Sequence, residues 1–207
     1  MDDGQLLEKL AKQDKDDNSI YIGIEIDKQN YEIAKSRIKL DNVVLLNGSF
    51  VDLIPAFPDN SLDRVIAVLP CPNFVDEDNQ QDWEPFYKTV FLKMKIYGTF
   101  QLVTEMVVID KQKYEIAKSR IKLEDNNNAV LSGKSFEEIT DELLQPISDN
   151  EYNKWGEWLT TTFQSIGFEL VDKKEDAPEE YQTRYIYRFK RNPKRIRIIS
   201  LIFVKNK

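Results

Sequence analysis

The chain alternates between short runs of consecutive apolar residues and longer stretches in which apolar positions recur every three or four residues. The short runs predict strands at Ile20 to Ile26, Val43 to Leu46, Leu62 to Leu69, Thr99 to Thr104, Phe168 to Val171 and Ile196 to Val204. The periodic stretches predict helices at Leu6 to Lys12, Gln29 to Leu40, Trp83 to Lys95 and Asn150 to Ile166, with Tyr31, Ile33, Ala34 and Ile38 as the buried face of the second. Phe57 to Ser61 carries the Pro, Asp and Asn of a turn, Pro70 and Pro72 stop the strand before them, and Gly167 stands where a helix C-cap belongs. Leu62 to Leu69 suits a central parallel strand covered on both faces, while Ile196 to Val204 is long enough for an antiparallel hairpin partner. The expected fold class is therefore α/β, a mainly parallel sheet with an antiparallel last strand.

The first expected strand, Tyr21 Ile22 Gly23 Ile24 Glu25, ends in an acid, and the helix before it opens on Asp3 Gly4. In a doubly wound nucleotide-binding fold a Gly-rich turn leads from the first strand into a helix, and an acid ending the second strand accepts hydrogen bonds from a ribose. On that pattern Met1 to Gly4 is the end of the turn and the first strand is missing. Taking a strand out of the middle of a parallel sheet exposes two edges, which predicts low stability or repair by another part of the chain.

One repeat interrupts the order. Ile26 to Leu40 and Ile109 to Leu123 differ only at Asn30 against Lys113, and a weaker likeness continues beyond them. Two copies do not make a solenoid. The expectation is a single domain over 1–207 with an insertion, 106–143, that partly duplicates 26–54 and is either a separate flap or a replacement element.

Composition narrows the chemistry. The chain has 207 residues, 41% of them hydrophobic, enough for one substantial core. It has no histidine and one cysteine, Cys71, which excludes a disulfide within the chain, the usual zinc sets and a Ser/His/Asp triad. Cys71 reads as a small apolar residue, and Trp83, Trp155 and Trp158 as helix-packing residues. No apolar run reaches membrane-spanning length and no cleavable signal opens the chain, so a cytoplasmic address without membrane or metal is expected. The net charge of −7 opposes general nucleic-acid affinity, yet Arg184, Arg188, Lys190, Arg191, Lys194, Arg195 and Arg197 crowd one C-terminal stretch. Asp76, Glu77 and Asp78 form an acidic loop that reads as solvated.

Leu6 to Ala11, the strand YIGIEI, FPDNSLDRVIAVLPCP, GTFQLVTE and the tail QTRYIYRFKRNPKRIRIISLIF together resemble the tRNA (guanine-N7) methyltransferases of bacteria and archaea. The resemblance implies a Rossmann-like class I methyltransferase fold, S-adenosyl-L-methionine as cofactor, and tRNA or another structured RNA as partner. By the same resemblance, Gly4, Glu25, Ser49 and Pro70 are the cofactor-binding candidates. Pro72, Asn73, Thr104 and Arg184 are those for substrate, and Thr183 and Glu105 those for catalysis. The chain departs from the family pattern at Pro70 to Asn73, which lacks the substrate carboxylate, at Ser49, where an acid is usual, and at Ile186, which replaces a second acid. Absence of histidine suits this chemistry, because guanine N7 attacks with a lone pair and has no proton to remove. Two alternatives stay open: a non-catalytic module of the same fold that binds RNA or a partner, and a class I methyltransferase for ribosomal RNA or a small molecule.

Overall fold

A computed structural model describes residues 3–13, 18–70, 75–110, 112, 143–181 and 183–206. Cys71, Pro72, Asn73 and nearly all of the second repeat copy lie outside the described residues, as does the Arg184 side chain.

Six strands and six α-helices alternate along the described chain. Helix α1 (Gln5–Gln13) precedes β1 (Tyr21–Glu25), α2 (Lys28–Arg37) and β2 (Val43–Asn47). Then come α3 (Phe50–Leu53), β3 (Leu62–Val68), α4 (Gln80–Lys93) and β4 (Met94–Val107). Helix α5 (Asp149–Ile166), β5 (Phe168–Lys174), α6 (Arg184–Phe189) and β6 (Ile196–Lys205) complete the order. The caps explain several boundaries. Ser148 accepts from the Glu151 N–H while the Glu151 carboxylate accepts from the Ser148 N–H, a reciprocal box that starts α5. Gly167 ends α5 at φ 121°, a backbone conformation that side-chain-bearing residues avoid.

The described strands form two sheets. β1 and β2 pair in parallel, Tyr21 opposite Val43 and Glu25 opposite Asn47. The other sheet has the order β3-β4-β6-β5, with β3 parallel to β4 and β6 antiparallel to both its neighbours. Thus β3, β4 and β5 run one way and only β6 runs against them. One face of this sheet carries Phe100, Leu102, Ile199, Leu201 and Phe203 against α4 and α5. Ring centroids of Phe100, Phe163, Phe168 and Phe203 lie between 5.0 and 6.4 Å apart, within the range of favourable aromatic contact. The other face carries Val103 and Ile198 against Tyr181, Ile186 and the α1 residues Leu6 and Leu10.

Three expectations need correcting. Helix α2 ends at Arg37 rather than Leu40, and Ile33, expected inside, is exposed. Of the expected face Ala34 and Ile38 are buried and Tyr31 is half-buried, with Gly4 packed closely against Ala34 and Ile38. Strand β4 starts at Met94, directly after α4, and extends to Val107, so the expected insertion begins inside a strand. The tryptophans pack as expected: Trp155 Nε1 donates to the Val75 carbonyl at 3.0 Å and Trp158 Nε1 to Gln80 Oε1 at 2.8 Å. Among the described residues no helix is long and apolar enough to cross a membrane.

Candidate functional site

Where parallel strands end, loop backbone and exposed side chains take over from the ladder, so ligand-binding groups collect at the carboxyl ends. Glu25 is the last residue of β1, Ser49 follows β2 by two residues, Pro70 follows β3 by two, and Thr104 and Glu105 lie near the end of β4.

Glu25 is only 8% exposed. Its Oε1 accepts the Asp27 N–H at 2.9 Å, and its carbonyl accepts the Asn47 side-chain amide at 2.8 Å and the Gly48 N–H at 2.9 Å. The ends of β1 and β2 are thereby tied together through the Glu25 carbonyl, while its carboxylate is held by the Asp27 N–H. Ser49 caps α3, its Oγ accepting from the Val51 N–H at 3.2 Å, and its hydroxyl proton is available to a further acceptor. The next residue, Phe50, stacks on Trp83 at 6.3 Å and meets Phe86 edge-on at 5.2 Å, giving this corner an aromatic wall.

Pro70 leaves the sheet after Leu69, whose φ of 48° is left-handed, a conformation that costs a leucine on the order of 1 kcal/mol. The Leu69 N–H donates to the Val103 carbonyl at 2.7 Å, which holds the strained residue against β4.

Thr104 and Glu105 do not converge. Strand alternation puts them on opposite faces: Thr104 lies with Leu102 on the α5 side, Glu105 with Val103 on the α6 side. Thr104 Oγ1, Glu105 Oε2 and Gln101 Nε2 are buried without a hydrogen-bond partner among the described residues. Burial pushes the Glu105 carboxyl up to about 7, against a smaller lowering by its own backbone N–H. Thr183 caps α6, accepting from the Ile186 N–H at 3.3 Å, and Arg184 is the first residue of that helix. Ile186 is fully buried in the apolar cluster that holds Val103 and Ile198, where a carboxylate would lose its hydration.

Gly4 is placed elsewhere. A Cβ there would come within 2.8 Å of Ala34 Cβ and 2.9 Å of Ile38 Cδ1, so the glycine lets α1 approach the far half of α2. Glu25 precedes the opposite end of that helix, about 9 Å away along the axis from Lys28 to Ala34. Helix α1 docks by this close packing on α2, reinforced by the Asp3–Arg37 ion pair at 3.0 Å. A groove of about 560 Å³ beside α1, lined by Glu8, Lys9, Lys12, Arg37 and Glu180, contains none of the candidate residues.

Sequence reading missed Asn47, Phe50 and a polar cluster in which Arg64 Nη2 donates to Gln101 Oε1 at 3.1 Å and to the Tyr181 hydroxyl. The Asn-Gly-Ser step after a strand was the one available signal for the first two. The cluster joins residues from three distant segments and leaves no local pattern.

No protein-family model and no curated protein matches this sequence. Solved structures do. An antibiotic-related methyltransferase superimposes with TM-score 0.54 and 19% identity over 99% of this chain and 83% of its own. A putative S-adenosylmethionine-dependent methyltransferase from Listeria monocytogenes gives TM-score 0.52 and 14% identity over 91% and 81%. The [4+2]-cyclase SpnF gives TM-score 0.55 and 13% identity over 99% and 72%, so this architecture also serves a protein named for another reaction. The chain has the α/β fold of the class I S-adenosylmethionine-dependent methyltransferases.

Proposed function

We propose that the chain is an S-adenosyl-L-methionine-dependent RNA methyltransferase whose substrate is a guanine N7 in tRNA. The observation that carries the reading is the buried, backbone-anchored carboxylate of Glu25 at the carboxyl end of β1, beside Asn47, Gly48 and Ser49 in a methyltransferase fold. These residues fit the nucleoside half of the cofactor: a fixed carboxylate suits ribose hydroxyls, a serine hydroxyl suits a ring nitrogen, and Phe50 supplies an apolar wall. When bound, the cofactor supplies an electrophilic methyl group.

The chain's own contribution is placement and exclusion of water. Pro70 marks the loop where substrate would approach, with Pro72 and Asn73 on the same segment. Glu105, titrating near 7, is partly protonated at neutral pH and in that form donates a hydrogen bond to a purine carbonyl. Thr104, Thr183 and Arg184 are assigned to positioning. No general base is required. We read 106–143 as an insertion within a single domain, and the break between the β2-β1 pair and the β3-β4-β6-β5 sheet as the place of an absent central strand.

A second reading has specific support. Among the described residues the β1-β2 pair and the β3-β4-β6-β5 sheet share no strand pairing, which a non-catalytic module that keeps the fold to bind RNA or a partner would tolerate. Calorimetric titration with S-adenosyl-L-methionine separates the two. The enzyme reading expects micromolar binding that weakens roughly 10- to 100-fold in Glu25→Gln, the loss of a charge-assisted hydrogen bond. A folded chain that takes up no cofactor, or takes it up equally well in Glu25→Gln, rejects the proposed site.

A further inference from the structure

The C-terminal cations are not equivalent once the fold is known. Lys190 pairs with Asp176 at 2.8 Å. Arg197 pairs with Asp149 at 2.5 Å and Glu175 at 3.6 Å, and lies 3.9 Å from the Tyr152 ring centroid. Those two are spent on the fold. Arg191 and Lys194 are exposed and make no side-chain hydrogen bond or ion pair among the described residues. Tyr187 has 61% of its surface exposed and likewise no side-chain partner among them. Its position differs from that of the buried Ile186, which anchors α6 to the sheet and turns Tyr187 outward. The chain continues from α6 in tight turns, with Arg191 N–H bonded to the Arg188 carbonyl and Asn192 N–H to that of Phe189, so Tyr187 and Arg191 stand one turn apart.

The register fixes where this turn lies. Ile196 is opposite Val107 and Arg197 opposite Met106, so 187–195 sits at the carboxyl end of β4, the end that also bears Glu105. Glu175 and Asp176 are engaged by Arg197 and Lys190, and neither Arg191 nor Lys194 has an ion-pair partner among the described residues.

We propose that this turn docks a single-stranded RNA segment at the rim of the crevice, with the Tyr187 ring as a base-stacking platform and Arg191 and Lys194 on phosphates. An exposed aromatic ring one turn from free cations is the arrangement that unpaired nucleotides require, since duplex bases present no open face to stack. An acidic peptide would use the cations but not the flat ring. The assignment rests on the RNA methyltransferase reading and deepens it by naming unpaired RNA as what the rim holds.

The test is fluorescence anisotropy of the whole chain with a labelled single-stranded RNA 12-mer, the same sequence as a duplex, and an acidic peptide. The single strand binds best. Tyr187→Ala weakens it about 5- to 100-fold, whereas Tyr187→Phe keeps it, because stacking needs the ring and not the hydroxyl. The double variant Arg191→Ala, Lys194→Ala lowers the slope of log affinity against log salt by about 1.4. Equal binding by Tyr187→Ala, preference for duplex, or tighter binding of the acidic peptide overturns the assignment. Calorimetry with S-adenosyl-L-methionine on the same preparations keeps the two readings apart. Cofactor binding without RNA binding sinks only the docking surface. RNA binding with these mutational effects but no cofactor binding sinks only the enzyme.

Discussion

Substituting Glu105 by glutamine should make the protein more stable above pH 8 and leave it unchanged below about pH 4. The Glu105 carboxyl is buried, its Oε2 has no partner among the described residues, and burial is the largest cause of its raised titration. Folded, it titrates near 7; unfolded, near 4.5. Between those values the folded chain keeps a proton that the unfolded chain has released, so stability falls as pH rises. Below them both states hold the proton, and above them neither does. A carboxyl displaced from 4.5 to about 7 weakens the fold by about 3 kcal/mol once it is ionised in both states. Glutamine keeps the shape and one acceptor but never ionises. Urea unfolding of parent and variant, followed by the emission of Trp83, Trp155 and Trp158, measures the difference across the pH range. With an m-value of about 2 kcal/mol/M, the midpoint should move up by roughly 1.5 M at pH 8.5. A stability difference that stays constant from pH 4 to 8.5, or a variant less stable than the parent at pH 8.5, would refute the burial argument. Because the comparison is between two chains that share every other carboxylate, the remaining acids cancel.

Other consequences are simpler to read. Gly167→Ala should cost about 2 kcal/mol or more by thermal or urea unfolding, since φ is 121° and the new Cβ would lie 2.9 Å from Phe91 Cζ; an unchanged midpoint would show that the α5 cap relaxes freely. Ser148→Ala removes one half of the capping box and should cost about 1 kcal/mol, with amide exchange speeding up in the first turn of α5 rather than at its end.

The division between what could and could not be read from the chain follows the range of the interactions. Alternation of apolar runs with periodic stretches located all six strands, although only β4 and β6 are buried over consecutive residues. The cap at Gly167 is equally local, a backbone angle set at one residue, whereas the caps that Ser49 and Ser148 form were seen only in the structure. Helix α2 shows where local reading fails. Its periodicity offered four buried positions, but burial needs a neighbour: Ala34 and Ile38 are buried with Gly4 against them, Tyr31 is half-buried and Ile33 faces solvent.

The sequence by itself determined the element order, the lack of any imidazole chemistry, the acid at the end of β1 and the basic C-terminal stretch. It also carried the methyltransferase resemblance, and the fold agrees with that at the level of the class. Only the tertiary structure decided which residues meet. It anchored Glu25 through Asn47 and Asp27, set Gly4 against Ala34 and Ile38, put Thr104 and Glu105 on opposite faces, and divided the described strands into two sheets. It also used Lys190 and Arg197 in ion pairs while leaving Arg191 and Lys194 to solvent. The physical reason is that propensity and patterning act over a few residues, whereas partners, burial and charge compensation depend on groups brought together from segments many tens of residues apart.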